Sequence, residues 1–179
     1  MYYKKRYTKL NDNKYELIYY KNKELLGVNF MSCIKYYFRK ATIDDFDFIF
    51  DLKKKNFKKY IEEYFEWNEE ERKEMYYDTL KKYLGEYNII VTNNKDIGVF
   101  AIDESHKGEC YISEISLNEE YQNKGIGTDI LNNLLIKNKQ KGLKTKLKVF
   151  KNSPARQLYE RLGFLIYGEN ETHYQMKKT

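Results

Sequence analysis

The sequence predicts a single domain of the α/β class, in which helices flank a mixed, mostly antiparallel sheet. Its length of 179 residues suits one domain, and 41 % hydrophobic residues are enough for a core. Apolar residues recur with helical spacing between residues 42 and 84, whereas short strand-like runs separated by turn residues begin at residue 87. The second half then alternates strand, helix, strand, helix and strand.

Two strand-like runs near the N-terminus predict a short strand pair. They are YELIYY at 15–20 and LLGVNF at 25–30, on either side of the polar turn KNKE. A third run, IKYYFRKA at 34–41, predicts the first strand of the main domain. We therefore assign residues 34–179 to the domain and residues 1–33 to an N-terminal extension. The extension is a strand pair, a binding arm, or a segment that precedes a true start at Met31.

Helix signals predict three helices before the next strand. Thr42 precedes a first turn with Asp44 and Asp45, where carboxylates favour the positive end of a helix. A second helical stretch is predicted over residues 59–65. Asn68 can cap a third helix through its side-chain oxygen.

The pattern from residue 87 predicts an antiparallel meander. Three strand-like runs, YNIIVT, DIGVFAID and CYISEISL, are separated by the turns NNK and SHKG. A helix then opens near Gly125, LKTKLKVF predicts a strand, and SPARQLYERLG predicts a helix capped by Ser153. FLIYG and ETHYQMK predict the last two strands.

Composition and charge exclude several classes of protein. No apolar run approaches the length of a membrane span. Cys33 and Cys110 give neither a disulfide framework nor metal-ligand spacing, which predicts a cytoplasmic protein without a metal. The net charge of +6 is concentrated at the two ends, where residues 1–40 carry ten Lys and Arg against three Asp and Glu, and residues 141–179 carry nine against three. Such basic ends are more often a solvated surface than a binding site.

The segment EYQNKGIGTDILNNLL joins a strand to a helix through Gly125 and Gly127. Unpaired N–H groups at a helix start, together with the helix dipole, form an anion site, and glycines let a phosphate approach the main chain. A Gly-x-Gly pair alone fits a flexible turn equally well. It lacks the third glycine of a dinucleotide fingerprint and the Gly-Lys-Ser/Thr of a P-loop.

Two motifs together resemble the GNAT superfamily of N-acetyltransferases. QNKGIG matches the pyrophosphate-binding signature Gln/Arg-x-x-Gly-x-Gly/Ala, and NSPARQLYERLGF is similar to the segment Asn-x-x-(Ala/Arg)-x-x-x-Tyr-x-x-x-Gly-Phe. The resemblance runs from about Phe38 to the C-terminus. It implies the superfamily fold, with a splayed strand pair at the acetyl-CoA site, and transfer of an acetyl group from acetyl-CoA to an amine.

The resemblance also implies which residues bind acetyl-CoA. Main-chain amides of the signature loop hold the pyrophosphate, and the strand end at residues 115–117 offers main-chain groups to the pantetheine arm. Lys124 is a cation beside the diphosphate. The implied cofactor-binding residues are Ile115, Ser116, Leu117, Gln122, Asn123, Lys124, Gly125, Ile126, Gly127, Thr128 and Asn152.

Two catalytic candidates follow. Tyr159 matches the superfamily's general acid, and its hydroxyl, with an ordinary pKa of about 10, stays protonated at neutral pH. Tyr159 also lies on the apolar stripe of its predicted helix, so a core aromatic residue is the alternative. A main-chain N–H near Leu117 would stabilise the oxyanion. Glu114 is the candidate base, and a solvent-facing strand carboxylate is an equal alternative. His173, on the last strand, is a weaker candidate.

Seven glutamates between residues 62 and 74 predict a cationic primary amine as acceptor, on a small molecule or a peptide. The alternative function is a non-catalytic module that binds acyl-CoA or RNA. Nucleic acid is disfavoured as a partner because the sequence has no basic motif interleaved with aromatic residues. The sequence leaves a homodimer open.

Overall fold

The computed structural model of the protein describes residues 4–11, 14–20 and 34–179. Its strands are β1 (Lys4–Asn11), β2 (Lys14–Tyr20), β3 (Tyr37–Lys40), β4 (Tyr87–Thr92), β5 (Lys95–Asp103), β6 (Glu109–Leu117), β7 (Lys144–Phe150), β8 (Leu165–Glu169) and β9 (His173–Lys178). Its α-helices are α1 (Phe46–Ile61), α2 (Glu69–Tyr83), α3 (Ile126–Lys141) and α4 (Ala155–Arg161). Strands β3 to β9 form one sheet in the order β3-β4-β5-β6-β7-β9-β8, which confirms the predicted fold class.

The N-terminal strands form a separate two-stranded antiparallel sheet, in which Lys4 pairs with Tyr20. The predicted strand over residues 15–20 corresponds to β2, and the structure adds the strand β1, which the sequence analysis does not predict. The partner of β2 lies upstream, because only two residues separate the strands and a connection of that length favours a hairpin. Residues 25–30 lie outside the described part of the chain.

Helix α1 is one continuous helix, so the predicted separate helix over residues 59–65 is wrong. Neither glycine nor proline interrupts the segment, and the helix continues through Lys59. The prediction for α2 is confirmed. The Asn68 side chain accepts hydrogen bonds from the backbone N–H groups of Glu70 and Glu71, at 3.1 and 3.3 Å.

The meander β4-β5-β6 is antiparallel, as predicted. Asn93 and Asn94 connect β4 to β5 with φ angles of 47° and 59°. Asparagine tolerates this left-handed region better than other non-glycine residues, and two such residues match the twist of a tight hairpin. After β6 the chain crosses through α3 into the parallel strand β7, and β9 then inserts between β7 and β8.

Helices cover both faces of the sheet and create two apolar layers. Helix α3 buries Ile130 and Leu131 against one face, and we call this the α3 layer. Helices α1 and α2 bury Phe50 and Leu80 against the other face. Burial of each such side chain contributes about 1.5–3 kcal/mol, so both layers hold the sheet in place.

A β-bulge in β6 reverses which residues face each layer. The ladder between β5 and β6 skips Ser113. Ile112 before the bulge and Ile115 and Leu117 after it all pack in the α3 layer. The bulge therefore turns the side chain of Glu114 towards α1.

Among the described residues, no helix is both long and apolar enough to cross a membrane. The same part of the chain contains no cluster of three or more His, Cys, Asp or Glu side chains that could hold a metal ion.

Candidate active site

Strands β6 and β7 part in the middle of the sheet. Their parallel ladder ends at the pair Ile112 and Leu147, although β6 continues to Leu117 and β7 to Phe150. Beyond that pair the facing edges of the two strands no longer share ladder hydrogen bonds. We call this opening the gap.

The end of β6 directs main-chain groups into the gap. The N–H of Asn118 donates to the carbonyl of Ile97 at 2.8 Å, so Asn118 points towards β5. Because successive residues of a strand alternate in direction, Ser116 also points towards β5, whereas Ile115 and Leu117 point their N–H and C=O groups towards the gap. The gap therefore offers donors and acceptors in the pattern that an added strand would use.

The N-terminus of α3 lies against this strand end. A Cβ atom added to Gly127 would lie 4.0 Å from the Cδ1 atoms of both Ile115 and Leu117. The N-cap residue is Gly125, so no side chain caps the helix, and the first intrahelical bond runs from the N–H of Asp129. The N–H groups of the first turn are therefore not used within the helix and can bind an anion.

Glycine suits the two loop positions, 125 and 127, for different structural reasons. Gly125 adopts φ 84°, which glycine tolerates without strain, and a Cβ there would meet nothing within 4 Å. Gly127 is helical, and its missing side chain instead keeps open the space between α3 and the end of β6. Asn123, with φ 56°, adds a second left-handed residue to the loop.

The rest of the loop separates into side chains that face solvent and one that faces the core. Lys124 is exposed and lies 5.7 Å from the centroid of the Tyr121 ring. Thr128 is half-buried in the first turn of α3. Ile126 is buried in the α3 layer, so only its main chain is available to a ligand.

A hydrogen-bond network that the sequence does not predict joins α1, the end of β6 and the signature loop. The Gln122 side chain donates to the Leu117 carbonyl and to Asn56 Oδ1, both at 2.8 Å. Asn56, on α1, donates to the same Leu117 carbonyl at 3.1 Å. Two side-chain amides thus donate to the Leu117 carbonyl at the edge of the gap. The N–H of Leu117 still points into the gap.

Asn152 lies in the turn between β7 and α4. Its Oδ1 and Nδ2 atoms are both buried, and neither has a hydrogen-bond partner within the described residues. An amide that is buried and unpaired on both atoms costs about 1–3 kcal/mol. A polar ligand at this end of β7 would remove that cost.

Tyr159, on α4, is only 7 % exposed and belongs to the α3 layer. Its ring meets the Phe164 ring edge-on, at a centroid distance of 5.8 Å. Burial raises the pKa of Tyr159 to about 12, so its hydroxyl stays protonated at neutral pH. The Tyr159 position is therefore compatible both with a proton donor and with a core aromatic.

Glu114 is buried, and its carboxylate makes an ion pair with Lys53 from α1. Oε1 accepts a long hydrogen bond of 3.4 Å from Ser116 Oγ, whereas Oε2 faces Lys53 without a hydrogen bond of good geometry. Burial lowers the pKa of Lys53, but Glu114 together with the neighbouring Tyr87 and Tyr76 outweighs it and holds the pKa of Lys53 above its ordinary value. Lys53 is consequently an ammonium group at neutral pH, and the side chains of Lys53 and Glu114 are only 14 % and 2 % exposed.

Two tyrosines enclose this ion pair. Lys53 Nζ lies 4.9 Å from the ring centroid of Tyr76 and 5.9 Å from that of Tyr87. Burial raises the pKa of both phenols. The ammonium group is thus held by a carboxylate and two aromatic rings.

An aromatic cluster lies beside the gap, where β7 ends and β9 begins. The rings of Phe150 and His173 lie 4.0 Å apart, and Tyr60 of α1 lies 6.3 Å from Phe150. Thr172 Oγ1 is 2.6 Å from His173 Nδ1. Burial and the neighbouring Lys148 lower the pKa of His173, so this ring is neutral at pH 7.

The acidic stretch lies at the end of α1 and the start of α2. Residues 62–67 line an open surface depression. Glu69 pairs with Lys54 at 2.5 Å. Most of the remaining carboxylates are solvent-exposed, so this region is a negative surface rather than an enclosed pocket.

The structure brings the signature loop, the end of β6 and the turn at Asn152 into one region around the parted strands. Sequence reasoning missed Lys53 and Asn56, which approach this region from α1. With Tyr60, these residues have the i, i+3, i+7 spacing that places them on one helix face. That spacing was visible, but nothing in the sequence shows that this face meets a strand about sixty residues downstream.

Part of this sequence is similar to that of a characterised enzyme. The ribosomal protein bS18-alanine N-acetyltransferase of Haemophilus influenzae is 36 % identical over 92 residues. That match covers 49 % of this chain and 62 % of the relative, so it spans less than two thirds of the relative's length.

Solved structures share the fold at low sequence identity. The PaiA N-acetyltransferase from Thermoplasma acidophilum, crystallised with coenzyme A, superposes with a TM-score of 0.63 at 20 % identity, covering 80 % of this chain and 98 % of that one. An N-acetyltransferase from Staphylococcus aureus Mu50 gives a TM-score of 0.60 at 17 % identity, over 79 % of this chain and 99 % of that one. The model of the acetyltransferase (GNAT) family matches residues 47–164. The chain therefore belongs to the GNAT family of acetyltransferases.

Proposed function

We propose that this protein is an acetyl-CoA-dependent N-acetyltransferase that acetylates a primary amine by direct attack. The observation that carries this proposal is the contact between the uncapped N-terminus of α3 and the parted end of β6. A helix N-terminus binds a diphosphate, and an open strand edge binds an extended amide chain. Acetyl-CoA contains both groups, and a structural relative is crystallised with coenzyme A.

In this proposal the loop main chain from Asn123 to Thr128 holds the pyrophosphate, and the Lys124 ammonium lies beside it. The gap-facing groups of Ile115 pair with the pantetheine amides. Leu117 contributes its N–H at the thioester, since its carbonyl already accepts from Asn56 and Gln122. Ser116 turns its main chain towards β5 and serves only by shaping the strand. The unpaired amide of Asn152 binds the arm on the β7 side.

The chemistry follows from those positions. The nitrogen lone pair of a neutral amine attacks the thioester carbonyl, and the negative charge that develops on oxygen is stabilised by the Leu117 N–H. The carbon–sulfur bond then breaks. Tyr159 gives its proton to the departing thiolate, and the amide product loses the extra proton from its nitrogen to solvent.

The acceptor amine must lose a proton during the reaction, and two groups are candidates to accept it: Glu114 and solvent. Glu114 remains the side-chain candidate, but its carboxylate is enclosed with Lys53 and Ser116. Direct contact with an amine would require breaking that ion pair. We therefore favour solvent as the base and assign Glu114 the role of fixing α1 against β6.

The acceptor is proposed to be a cationic amine on a small molecule or a peptide. The acidic surface at residues 62–74 attracts cations by its field. The relative from Haemophilus influenzae acts on an alanine of a ribosomal protein, which favours a peptide amine.

Gly127→Gln tests the cofactor site, because the signature allows only glycine or alanine at this position. Glutamine suits a helix better than glycine, and its Cβ would meet only ordinary contacts at 4.0 Å, so the free protein should keep or gain stability. The rest of the new side chain extends into the space beside β6, so acetyl-CoA should raise the melting temperature of the variant less than that of the parent.

Gly85→Gln is the matched control, because a Cβ at Gly85 meets nothing within 4 Å and the residue lies outside the gap. Its thermal shift with acetyl-CoA should equal that of the parent. An unchanged shift in Gly127→Gln would show that the cofactor site is misplaced. Binding without thiol release, over a panel of amines, would support the non-catalytic module instead.

A further inference from the structure

The second half of the sheet has a face that turns away from the α3 layer. Lys146 of β7 pairs with Tyr111 of β6 on one side and with Lys177 of β9 on the other, and Lys177 pairs with Leu165 of β8. Paired residues share a face, and this row alternates with the buried Leu147 of the α3 layer. By the same alternation, Lys144 and Lys148 lie on this face too. We call it the lysine face; its residues are Tyr111, Lys144, Lys146, Lys148, Leu165, Tyr167 and Lys177.

The lysine face carries an excess of positive charge. Two acidic residues share it. Glu109 lies opposite Lys144 and its carboxylate pairs with Lys146 at 2.6 Å, whereas Asp103 lies at the β5 side, opposite Tyr111. Lys144, Lys148 and Lys177 are exposed, and none has an ion-pair partner within the described residues. Three lysines without a close ion pair in the described part of the chain thus stand on neighbouring rows of two adjacent strands, with Glu109 opposite Lys144.

Aromatic and apolar groups stand among these lysines. Tyr167 is the bulged residue of β8 and is 41 % exposed. Its ring centroid lies 5.6 Å from Lys146 Nζ and 5.3 Å from Lys177 Nζ. Leu165, 70 % exposed, lies opposite Lys177. The sheet register therefore produces the interleaving of basic and aromatic residues that is absent from the linear sequence.

We propose that the lysine face binds single-stranded RNA. A flat sheet that combines an exposed aromatic ring with unpaired lysines can stack an unpaired base on Tyr167 and place phosphates on the cations. Duplex nucleic acid is a poorer match, because its grooves admit a helix or a two-stranded ribbon rather than a wide sheet.

Other occupants fit this face less well. An acidic protein surface would satisfy the lysines but would set Tyr167 and Leu165 against charged groups. The protein's own N-terminal extension, residues 1–33, is basic, with seven Lys and Arg against three Asp and Glu, so it would be repelled.

The binding should be measured with the full chain and a fluorescein-labelled 12-nucleotide oligouridine, by fluorescence anisotropy over a series of salt concentrations. Replacing Lys144, Lys148 and Lys177 together by glutamine should weaken binding. It should also lower the slope of log K against log salt by about two, because each phosphate contact on a single strand contributes about 0.7. The same charge change at Lys81, Lys82 and Lys95, which are exposed elsewhere, should leave the slope unchanged.

Tyr167→Leu separates stacking from charge. It should weaken binding by roughly 5- to 100-fold, the range expected for losing one stacked base. Tyr83→Leu is the matched control. Tyr83 is 42 % exposed, and Lys82 Nζ lies 4.9 Å from its ring centroid. All variants should show the thermal shift of the parent with acetyl-CoA, so failure of this proposal is distinct from failure of the proposed function.

Three results would overturn the proposal. The first is an affinity for oligouridine that the two control variants reduce as much as the test variants do. The second is loss of binding in the triple lysine variant but not in Tyr167→Leu, which would identify a general polyanion surface. The third is a concentration-dependent dimer in sedimentation velocity that the triple variant abolishes, which would identify a second copy as the occupant.

Discussion

The catalytic role of the buried Tyr159 hydroxyl can be tested by Tyr159→Phe, which removes the hydroxyl without opening a cavity. If it protonates the thiolate, Tyr159→Phe should lower kcat by about 100-fold while the affinity for acetyl-CoA barely changes. Burial holds the pKa of this phenol at about 12, so the kcat of the parent should show no loss of the acid up to about pH 11. Steady-state kinetics and a melting temperature on one preparation decide the matter. A normal kcat in Tyr159→Phe would leave Tyr159 as a core aromatic.

The buried pair of Lys53 and Glu114 makes a stability prediction. Lys53→Met leaves a buried carboxylate unpaired, and breaking such a pair costs about 3–5 kcal/mol. The double variant Lys53→Met/Glu114→Gln removes both charges and should recover a large part of that loss. Urea unfolding of the parent, both single variants and the double variant measures the coupling. Additive losses would show that the two charges do not stabilise each other.

The same pair fixes the sign of a pH effect. The folded pKa of Lys53 lies above its unfolded value of about 10.4. Its stabilisation is therefore complete below that value and is lost as pH rises through the folded pKa. The parent should lose more unfolding free energy than the double variant between pH 10 and 12, and equal losses would contradict the assignment.

At the scale of elements, Asn56 and Gln122 tie helix α1 to the cofactor loop through the Leu117 carbonyl. Asn56→Asp keeps the size of the side chain but removes the donor, so the loop should lose its fixed position. We expect KM for acetyl-CoA to rise about tenfold with a smaller change in kcat. Initial-rate kinetics measure both.

Asn88→Asp is the control for that variant. Asn88 also donates to two main-chain carbonyls, those of Glu86 and Phe100 at 3.0 and 3.4 Å, but it lies on β4. It should cost stability without changing KM for acetyl-CoA. If Asn56→Asp changes only stability, the network is structural and does not position the loop.

At the scale of the whole molecule, the charge pattern predicts the preferred acceptor. The acidic surface at residues 62–74 should raise the rate with a cationic amine above that with a neutral amine of the same size. The difference should shrink as salt increases, because exposed charges are screened beyond about 10 Å at 0.1 M. A rate that does not depend on amine charge at low salt would remove the acidic surface from acceptor recognition.

The sequence by itself determined those features whose causes are local. The cap of α2 at Asn68, the asparagine turn at residues 93–94 and the glycine loop before α3 depend on residues that are close along the chain. In α3 the apolar residues Ile126, Ile130 and Leu134 recur every four residues, and this spacing alone marks the face that is buried. Such features follow from dihedral preferences and from the spacing of apolar residues.

The tertiary structure alone decided what depends on contacts between distant segments. The gap exists because the β6–β7 ladder ends at Ile112, and the lysine face exists because β9 inserts between β7 and β8. Asn56 reaches the Leu117 carbonyl across 61 residues of sequence, and Lys53 meets Glu114 across a similar separation. Periodicity shows which face of an element is apolar, but it does not show which other element that face will meet. Strand order and register fix those partners through the packing of the whole chain.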